Sequence, residues 1–195
     1  ILEKRGNVIR VIEVKSKSYD TTDDNYFVGT RGGIVSKWKP YLFDLAFQAY
    51  VVQRSNPEAV VIPYLMLADK AKVATINGLN QKFRVPSQAN NVRQETIILA
   101  ENFEELGLSV LSEVRMTDVI QQIQEGQFDY NGFTFNEAVT QFKAFYQEDI
   151  YANAPLEFSK CKNCEFHNSL EPEKLSGKAH CFYHQWGLMD GELNT

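Results

Sequence analysis

The sequence is short of cysteine and of long hydrophobic runs, and both shortages limit what the chain can be. Only three of its 195 residues are cysteine. This odd number argues against a disulfide framework and for a reducing compartment, so we expect a cytoplasmic protein. No apolar run approaches the roughly 20 residues needed to cross a bilayer, so we expect no membrane partner. The net charge of −5 argues weakly against a general nucleic-acid coat, whose surface is usually basic.

The composition is that of a globular domain. A hydrophobic fraction of 44% and a charged fraction of 23% allow a chain of 195 residues to bury a core without disulfides. Strand-like and helical segments alternate in the first third of the chain. This order predicts an α/β fold in which two strands pair in parallel.

A stretch near the start of the chain places two opposite charges where a buried strand is expected. In residues 8–16 side chains alternate across the strand, so Glu13 and Lys15 share a face with Ile9 and Val11. Both faces are largely apolar, which predicts a strand inside the sheet. Removing a carboxylate and an ammonium from water costs several kcal/mol, roughly, unless they pair or bind a ligand. The two residues therefore form either an ordinary salt bridge or part of a functional site.

The chemistry that needs Glu-x-Lys on a strand is metal-assisted cleavage of phosphodiesters. Glu13 would hold Mg²⁺ or Mn²⁺, and the backbone carbonyl of Val14 would face the same metal. Lys15 would orient or deprotonate the attacking water and offset the charge of the phosphate.

Such a site needs a second carboxylate, which usually lies one strand upstream. The upstream strand is predicted at residues 1–4, and residues 5–7 turn it into the Glu13 strand. Its only acidic residue, Glu3, is interpreted as a solvated hairpin position. Because the sequence begins inside a strand and without Met, we expect a fragment whose second ligand is an Asp before Ile1.

The next element is an amphipathic helix predicted over residues 36–53. Its core stripe at helical spacing consists of Leu42, Leu45, Ala46, Ala49 and Val52. A separate polar column, spaced by four, three and four residues, consists of Lys37, Tyr41, Asp44 and Gln48. This column either lines a phosphate-binding cleft or forms the solvent-exposed side of the helix. Tyr41 and Asp44 are accessory candidates for the site.

Residues 60–67 predict a second buried strand, in which Pro63 suggests a sheet edge or a bulge. The segment that follows, Asp69-Lys70-Ala71-Lys72, is either a basic phosphate-binding tip or a solvated turn. Short strands are predicted at 83–85 and 95–99, on either side of a polar linker at 87–91.

Two helices are predicted further along the chain. Thr117 is expected to cap a helix that ends near Gly126. A longer amphipathic helix is predicted over residues 135–152. Its expected core face consists of Val139, Phe142, Phe145 and Tyr146.

The three cysteines lie near the end of the sequence, as Cys161-x2-Cys164-x16-Cys181. Thiolates separated by two residues can reach one metal, and a third cysteine completes most of a site. One ligand is then missing. A zinc site would take it as a nitrogen from His167, His180 or His184.

The chain resembles the PD-(D/E)XK nucleases, in particular a bacterial group of the RecB-like branch that carries a cysteine-bound iron–sulphur cluster. The matching segments are Glu13-Val14-Lys15, Phe43-Asp44-Leu45-Ala46-Phe47-Gln48-Ala49-Tyr50 and Cys161-Lys-Asn-Cys164-Glu-Phe. The resemblance implies a restriction-endonuclease-like core, a mixed sheet flanked by helices, with an insertion and a C-terminal metal-cluster segment. It also implies that Gln48 approaches the active site. Cys161, Cys164 and Cys181 would hold a four-iron four-sulphur (4Fe-4S) cluster with a fourth cysteine from upstream of the core.

We therefore expect one nuclease-like domain over residues 1–195, with a core at 1–70, an insertion at 71–133 and a helix plus cysteine-rich segment at 134–195. The expected function is Mg²⁺- or Mn²⁺-dependent cleavage of single- or double-stranded DNA, with a structural iron–sulphur cluster. One alternative is a non-catalytic nucleic-acid or protein-binding module of the same fold. The other is a zinc-stabilised interaction domain.

Overall fold

The computed structural model describes residues 1–86, 95–150, 156–157, 161, 164, 166–168 and 176–188. The chain divides into two compact units, Ile1–Thr140 and Gln141–Thr195. No helix within the described residues is long and apolar enough to cross a membrane.

The first unit begins with a hairpin. Its strands are β1 (Leu2–Arg5) and β2 (Val8–Tyr19), which pair antiparallel. Ile1 and Ile12 exchange two backbone hydrogen bonds of 2.8 and 2.9 Å. Gly6 turns the chain with a φ of 57°, in the left-handed region that favours glycine. The predicted hairpin is confirmed.

A helix then carries the chain to a parallel neighbour of β2. A 3₁₀ turn at Ser36–Trp38 leads into α1 (Lys39–Ser55), which has proline in its first turn, where no intrahelical N–H bond is lost. β3 (Val60–Asp69) runs parallel to β2, with Val11 opposite Pro63. The predicted strand-helix-strand order and its parallel pairing are confirmed.

Pro63 marks neither a sheet edge nor a bulge, so that prediction is wrong. β3 lies inside the sheet, between β2 and β6 (Leu111–Arg115). The carbonyl of Pro63 accepts a hydrogen bond of 2.9 Å from the Met116 N–H, so the polar backbone groups of Pro63 face β6. Since these groups face β6, the missing N–H of Pro63 costs no hydrogen bond to β2. It also costs none in the ladder between β3 and β6, because that ladder begins only at Tyr64.

The core lies between one face of this sheet and the helices α1 and α2 (Thr117–Gln124). Its fully buried members are Leu42, Leu45, Ala46, Leu65, Leu67 and Ile123. The predicted core stripe of α1 is confirmed, although Val52 is only half-buried. Met116, not Thr117, occupies the N-cap position of α2. With strand order β1-β2-β3-β6, the unit is an α/β structure built on a mixed sheet flanked by helices, as predicted.

Between β3 and β6 the described part of the chain contains a separate two-stranded sheet. β4 (Phe83–Arg84) and β5 (Ile97–Ile98) pair antiparallel, as predicted. The predicted linker at 87–91 lies outside the described residues. β6 and α2 fall within the range 71–133, so part of the predicted insertion contributes a strand and a helix to the main core.

A second small hairpin of β7 (Asp129–Tyr130) and β8 (Phe133–Thr134) leads into α3 (Phe135–Glu148). α3 ends before Asp149, which has a φ of 50°. Residues 151 and 152 of the predicted helix lie outside the described residues.

The predicted core face of α3 is wrong at Phe142 and Tyr146, whereas Phe145 is half-buried. Phe142 is 64% exposed and Tyr146 is 90% exposed. Within the first unit, Phe135 is buried in the core and Val139 is half-buried against it. Helical spacing identifies an apolar stripe on α3, but it does not show which residues of that stripe pack against another part of the protein.

In the second unit, α4 (Gly177–Trp186) is the helix that carries Cys181. The Ser176 side chain caps its N-terminus by accepting a hydrogen bond from the Ala179 N–H. Gly187 ends the helix with a φ of 70°.

On the face of the sheet opposite α1, Arg10 links side chains of β1 and β6. Its guanidinium forms ion pairs with Glu3 on β1 and with Glu113 on β6, and it lies 4.5 Å from the ring centroid of Tyr64. The hydrogen bond from Arg10 lowers the pKa of Glu3. Glu3 is thus an ion-paired residue on the face away from Glu13, rather than a solvated hairpin position.

Asp69 is a buried carboxylate at the end of β3. It is 5% exposed, and it accepts hydrogen bonds from Ser112 Oγ at 2.7 Å and from the Ala71 N–H at 3.0 Å. The Ser112 hydroxyl, opposed by burial, holds the pKa of Asp69 below its ordinary value. The ionised form of Asp69 therefore stabilises the fold.

A Ser112→Ala variant is expected to melt a few degrees below the unaltered protein near neutral pH, and this difference is expected to shrink in acid. A depressed pKa contributes stability above the ordinary value of 3.8, and the contribution disappears as the pH falls through the folded-state pKa. Thermal melts at about pH 7 and about pH 3 measure the difference. Ser16→Ala, at an exposed serine of β2, is the control. A Ser112→Ala difference of equal size at both pH values would contradict this role for Asp69.

Candidate active site

Four polar side chains from β2 and α1 close into a ring on the helix-covered face of the sheet. Lys15 Nζ lies 2.7 Å from Glu13 Oε1 and 3.0 Å from Asp44 Oδ2. Gln48 Nε2 donates to the other oxygen of each carboxylate, at 3.1 Å to Glu13 and 3.2 Å to Asp44. Both carboxylates therefore contact the same ammonium, that of Lys15, and the same amide, that of Gln48. We call these four residues the polar ring.

Local geometry explains why the four side chains meet. Glu13 and Lys15 are two residues apart on a strand, so both point to the face that α1 covers. Asp44 and Gln48 are four residues apart on a helix, so they stack on one side of it. Packing of α1 against β2 in the common core brings the two pairs together.

β2 becomes irregular at the point where it carries the lysine of the ring. Its register with β3 shifts between Val14 and Ser18. Irregularities of this kind re-aim side chains and are frequent next to active sites. Lys15 and Lys17, which both lie in this stretch, approach the same aromatic ring, with their Nζ atoms 5.3 and 5.8 Å from the ring centroid of Tyr41.

The electrostatics of the polar ring favour an added cation. The Glu13 and Lys15 side chains are 21% and 22% exposed, and that of Asp44 is 45% exposed. Two carboxylates face one ammonium, so one negative charge is left uncompensated. Burial lowers the pKa of Lys15, but hydrogen bonds to Glu13 and Asp44 outweigh it and raise the pKa above its ordinary value. Lys15 is therefore an ammonium at neutral pH.

The structure brings together the five side chains that the sequence identified on β2 and α1. Glu13, Lys15 and Gln48 are members of the ring, and Tyr41 lies against its lysine. Asp44, an accessory candidate in the sequence, makes direct contact with Lys15 and Gln48. The Val14 side chain is 49% exposed. The role of its carbonyl as a metal ligand stays a prediction.

The donor set of the ring fits a magnesium or manganese ion. Oxygens of Glu13 and Asp44 both reach the Lys15 Nζ, so one cation position touches two carboxylates. Mg²⁺ is commonly held by one or two carboxylates, with water and substrate phosphate as its remaining ligands. The described residues contain no group of three or more His, Cys, Asp or Glu side chains placed to hold a metal. The ring therefore offers a partial ligand set, which suits a metal that also binds the substrate.

The cysteines of the second unit do not form such a group in the part of the chain that the structure describes. Cys161, Cys164 and Cys181 are half-buried thiols, with no disulfide among the described residues. The Cys164 N–H donates to the Cys161 carbonyl at 3.2 Å, so these two lie on one turn. The rings of His180 and His184 are 4.3 Å apart. Both the 4Fe-4S cluster and the zinc alternative stay predictions.

Sequence reasoning did not identify Lys17 or Trp38 as site candidates. Both line one cavity together with Lys37 and Tyr41 of the polar column and with Lys70 of the predicted phosphate-binding tip or solvated turn. The local signal for Lys17 was its spacing of two from Lys15 on the same strand. Comparison with known proteins found no matching family model, no similar curated protein and no similar solved structure.

Proposed function

We propose that this chain is a metal-dependent nuclease that hydrolyses phosphodiesters of DNA at the polar ring. The observation that carries the proposal is the placement of two carboxylates, Glu13 and Asp44, around one ammonium on the covered face of the sheet. A half-buried cluster with an uncompensated charge costs stability unless it serves a ligand. Glu-x-Lys on an inner strand is the arrangement that metal-assisted phosphodiester cleavage uses.

The topology supports a restriction-endonuclease-like core, which is part of this proposal. The β1–β2 hairpin, α1 and the parallel strand β3 place Glu13 and Lys15 on an inner strand next to a hairpin partner. Ile1 pairs with Ile12, so any residue that precedes Ile1 in the same register would lie opposite Glu13. Residues that lie opposite each other on antiparallel strands point to the same face. A carboxylate at that position would complete the ligand set.

Glu13 and Asp44 would hold the metal. When bound, Mg²⁺ or Mn²⁺ polarises a phosphoryl oxygen and lowers the pKa of a water molecule. The Lys15 ammonium contacts both carboxylates, so it must withdraw from at least one of them when a divalent cation binds there. The Tyr41 ring, whose centroid lies 5.3 Å from Nζ, offers it a cation–π contact.

Lys15 would act as a cation rather than as a base. In the metal-free site, hydrogen bonds to Glu13 and Asp44 outweigh burial and raise its pKa. Its charge would stabilise the negative charge that develops on the phosphoryl oxygens. In the reaction the water oxygen would add to phosphorus and give up a proton to solvent, and the bond to the leaving alkoxide oxygen would break. The leaving oxygen would take up a proton from solvent, which gives a hydroxyl and a phosphomonoester. Gln48 would hold both carboxylates in position through its amide N–H groups.

A Glu13→Gln variant is expected to lose most of its Mn²⁺ affinity, because the amide keeps the shape of the side chain but removes its charge. Glu13 would be a direct ligand, so we expect a loss beyond the roughly 10- to 100-fold that follows loss of an outer-shell partner. Isothermal titration with Mn²⁺ measures the affinity. Glu58→Gln, at an exposed carboxylate, is the control and is expected to bind like the unaltered protein. Equal Mn²⁺ affinity in Glu13→Gln and Glu58→Gln would reject Glu13 as a ligand.

A further inference from the structure

A cavity of about 220 Å³ lies beside the polar ring in the first unit. Its wall includes three lysines and three aromatic residues: Lys17, Lys37, Lys70, Tyr26, Trp38 and Tyr41. Tyr41 belongs to both places, because its ring also lies against Lys15 of the polar ring. The cavity has room for several water molecules, and so for a group the size of a phosphate.

The cavity concentrates positive charge in a chain whose net charge is −5. The ammonium groups of Lys17, Lys37 and Lys70 form no ion pair in the part of the chain that the structure describes. Aromatic faces hold two of them in place. Lys37 Nζ lies 4.3 Å from the ring centroid of Tyr26, and Lys17 Nζ lies 5.8 Å from that of Tyr41. Lysines held in this way are point charges that suit a phosphate.

We propose that this cavity binds a second phosphate of a nucleic-acid strand, next to the phosphodiester that the polar ring cleaves. The proposal rests on the proposed function and adds a subsite for a neighbouring phosphate of the same strand. Phosphates follow one another closely along a strand, with roughly one charge per 3.4 Å of helix axis in each strand of a duplex. Lys15 and Lys17 lie against the same Tyr41 ring, so a strand with one phosphate at Lys15 would have a neighbouring phosphate close to this cavity.

Binding of a labelled single-stranded oligodeoxynucleotide, measured by fluorescence anisotropy in EDTA, tests the proposal without cleavage. The double variant Lys37→Ala, Lys70→Ala is expected to bind more weakly. Its plot of log affinity against log salt concentration is expected to be shallower by about 0.7, the slope of one lost phosphate contact on a single strand. Lys4→Ala, at an exposed lysine of β1, is the control and is expected to keep the original slope.

The double variant Lys37→Arg, Lys70→Arg is expected to restore the slope, because it restores the charge. A slope that stays the same in the alanine double variant would overturn the proposal, and so would an equal change in Lys4→Ala. The experiments distinguish failure of the nuclease proposal from failure of the phosphate-subsite proposal. Cleavage by the unaltered protein with an unchanged slope removes the subsite and keeps the nuclease. A shallower slope in the variant of a protein that never cleaves keeps the phosphate site and removes the nuclease.

Discussion

Replacing Lys15 with methionine is expected to lower the rate of Mn²⁺-dependent DNA cleavage by about 10²- to 10³-fold, the usual effect of removing one group that stabilises transition-state charge. Mn²⁺ binding is expected to stay as tight as in the unaltered protein or to become tighter. The Lys15 ammonium contacts both Glu13 and Asp44, so it competes with a cation for the same oxygens. Methionine keeps most of the length of the side chain and removes that competitor.

Cleavage of a labelled oligonucleotide and titration with Mn²⁺, carried out on the same preparation, measure the two effects. Lys4→Met, at an exposed lysine of β1, is the control and is expected to behave as the unaltered protein in both assays. Loss of cleavage together with loss of Mn²⁺ binding in Lys15→Met would mean that the ring had collapsed. Full cleavage by Lys15→Met would exclude Lys15 from the reaction.

Leu45→Ala is expected to lower the free energy of unfolding by about 2–5 kcal/mol, the usual cost of truncating a fully buried leucine. Leu45 is 0% exposed in the core between α1 and the sheet. It follows Asp44 in the sequence, so a cavity at this position also loosens the helix that carries half of the polar ring. Cleavage is therefore expected to fall along with stability.

Urea unfolding followed by circular dichroism measures this loss of stability. Val51→Ala is the matched control, because Val51 is on the same helix and is 44% exposed. Its effect is expected to stay within about 0.5 kcal/mol. A Leu45→Ala variant as stable as Val51→Ala would show that α1 does not pack on the sheet through this side chain.

Periodicity was enough to predict which polar side chains of β2 and of α1 share a face, whereas the approach of Gln48 to the site was implied by the family resemblance. The spacing of two on β2 placed Glu13 and Lys15 on one face, and both meet α1 there. The steps of three and four on α1 stacked Tyr41, Asp44 and Gln48, all of which reach the lysine or the glutamate of β2. Each of these relations follows from the geometry of a single strand or helix.

The sequence pattern does not predict contacts between elements that are far apart in the chain. The sequence predicts a sheet edge or a bulge at Pro63, because it does not show that the missing N–H faces the end of the β3–β6 ladder. Tyr146 was read as core because helical spacing does not show where a partner ends. The lysines of the cavity beside the polar ring come from β2, from the turn before α1 and from the residue after β3. Only the assembled sheet brings Lys17, Lys37 and Lys70 together.

The most direct test of the central claim is a time course of the unaltered protein with end-labelled DNA, single-stranded and double-stranded, started by adding Mn²⁺ and stopped by EDTA. The double variant Glu13→Gln, Asp44→Asn, which keeps the shape of both side chains and removes both charges, is the matched control. We predict cleavage that begins with Mn²⁺, ends with EDTA and is absent from the double variant. Uncleaved DNA in the presence of folded, Mn²⁺-bound protein, or equal cleavage by the double variant, would contradict a nuclease centred on the polar ring.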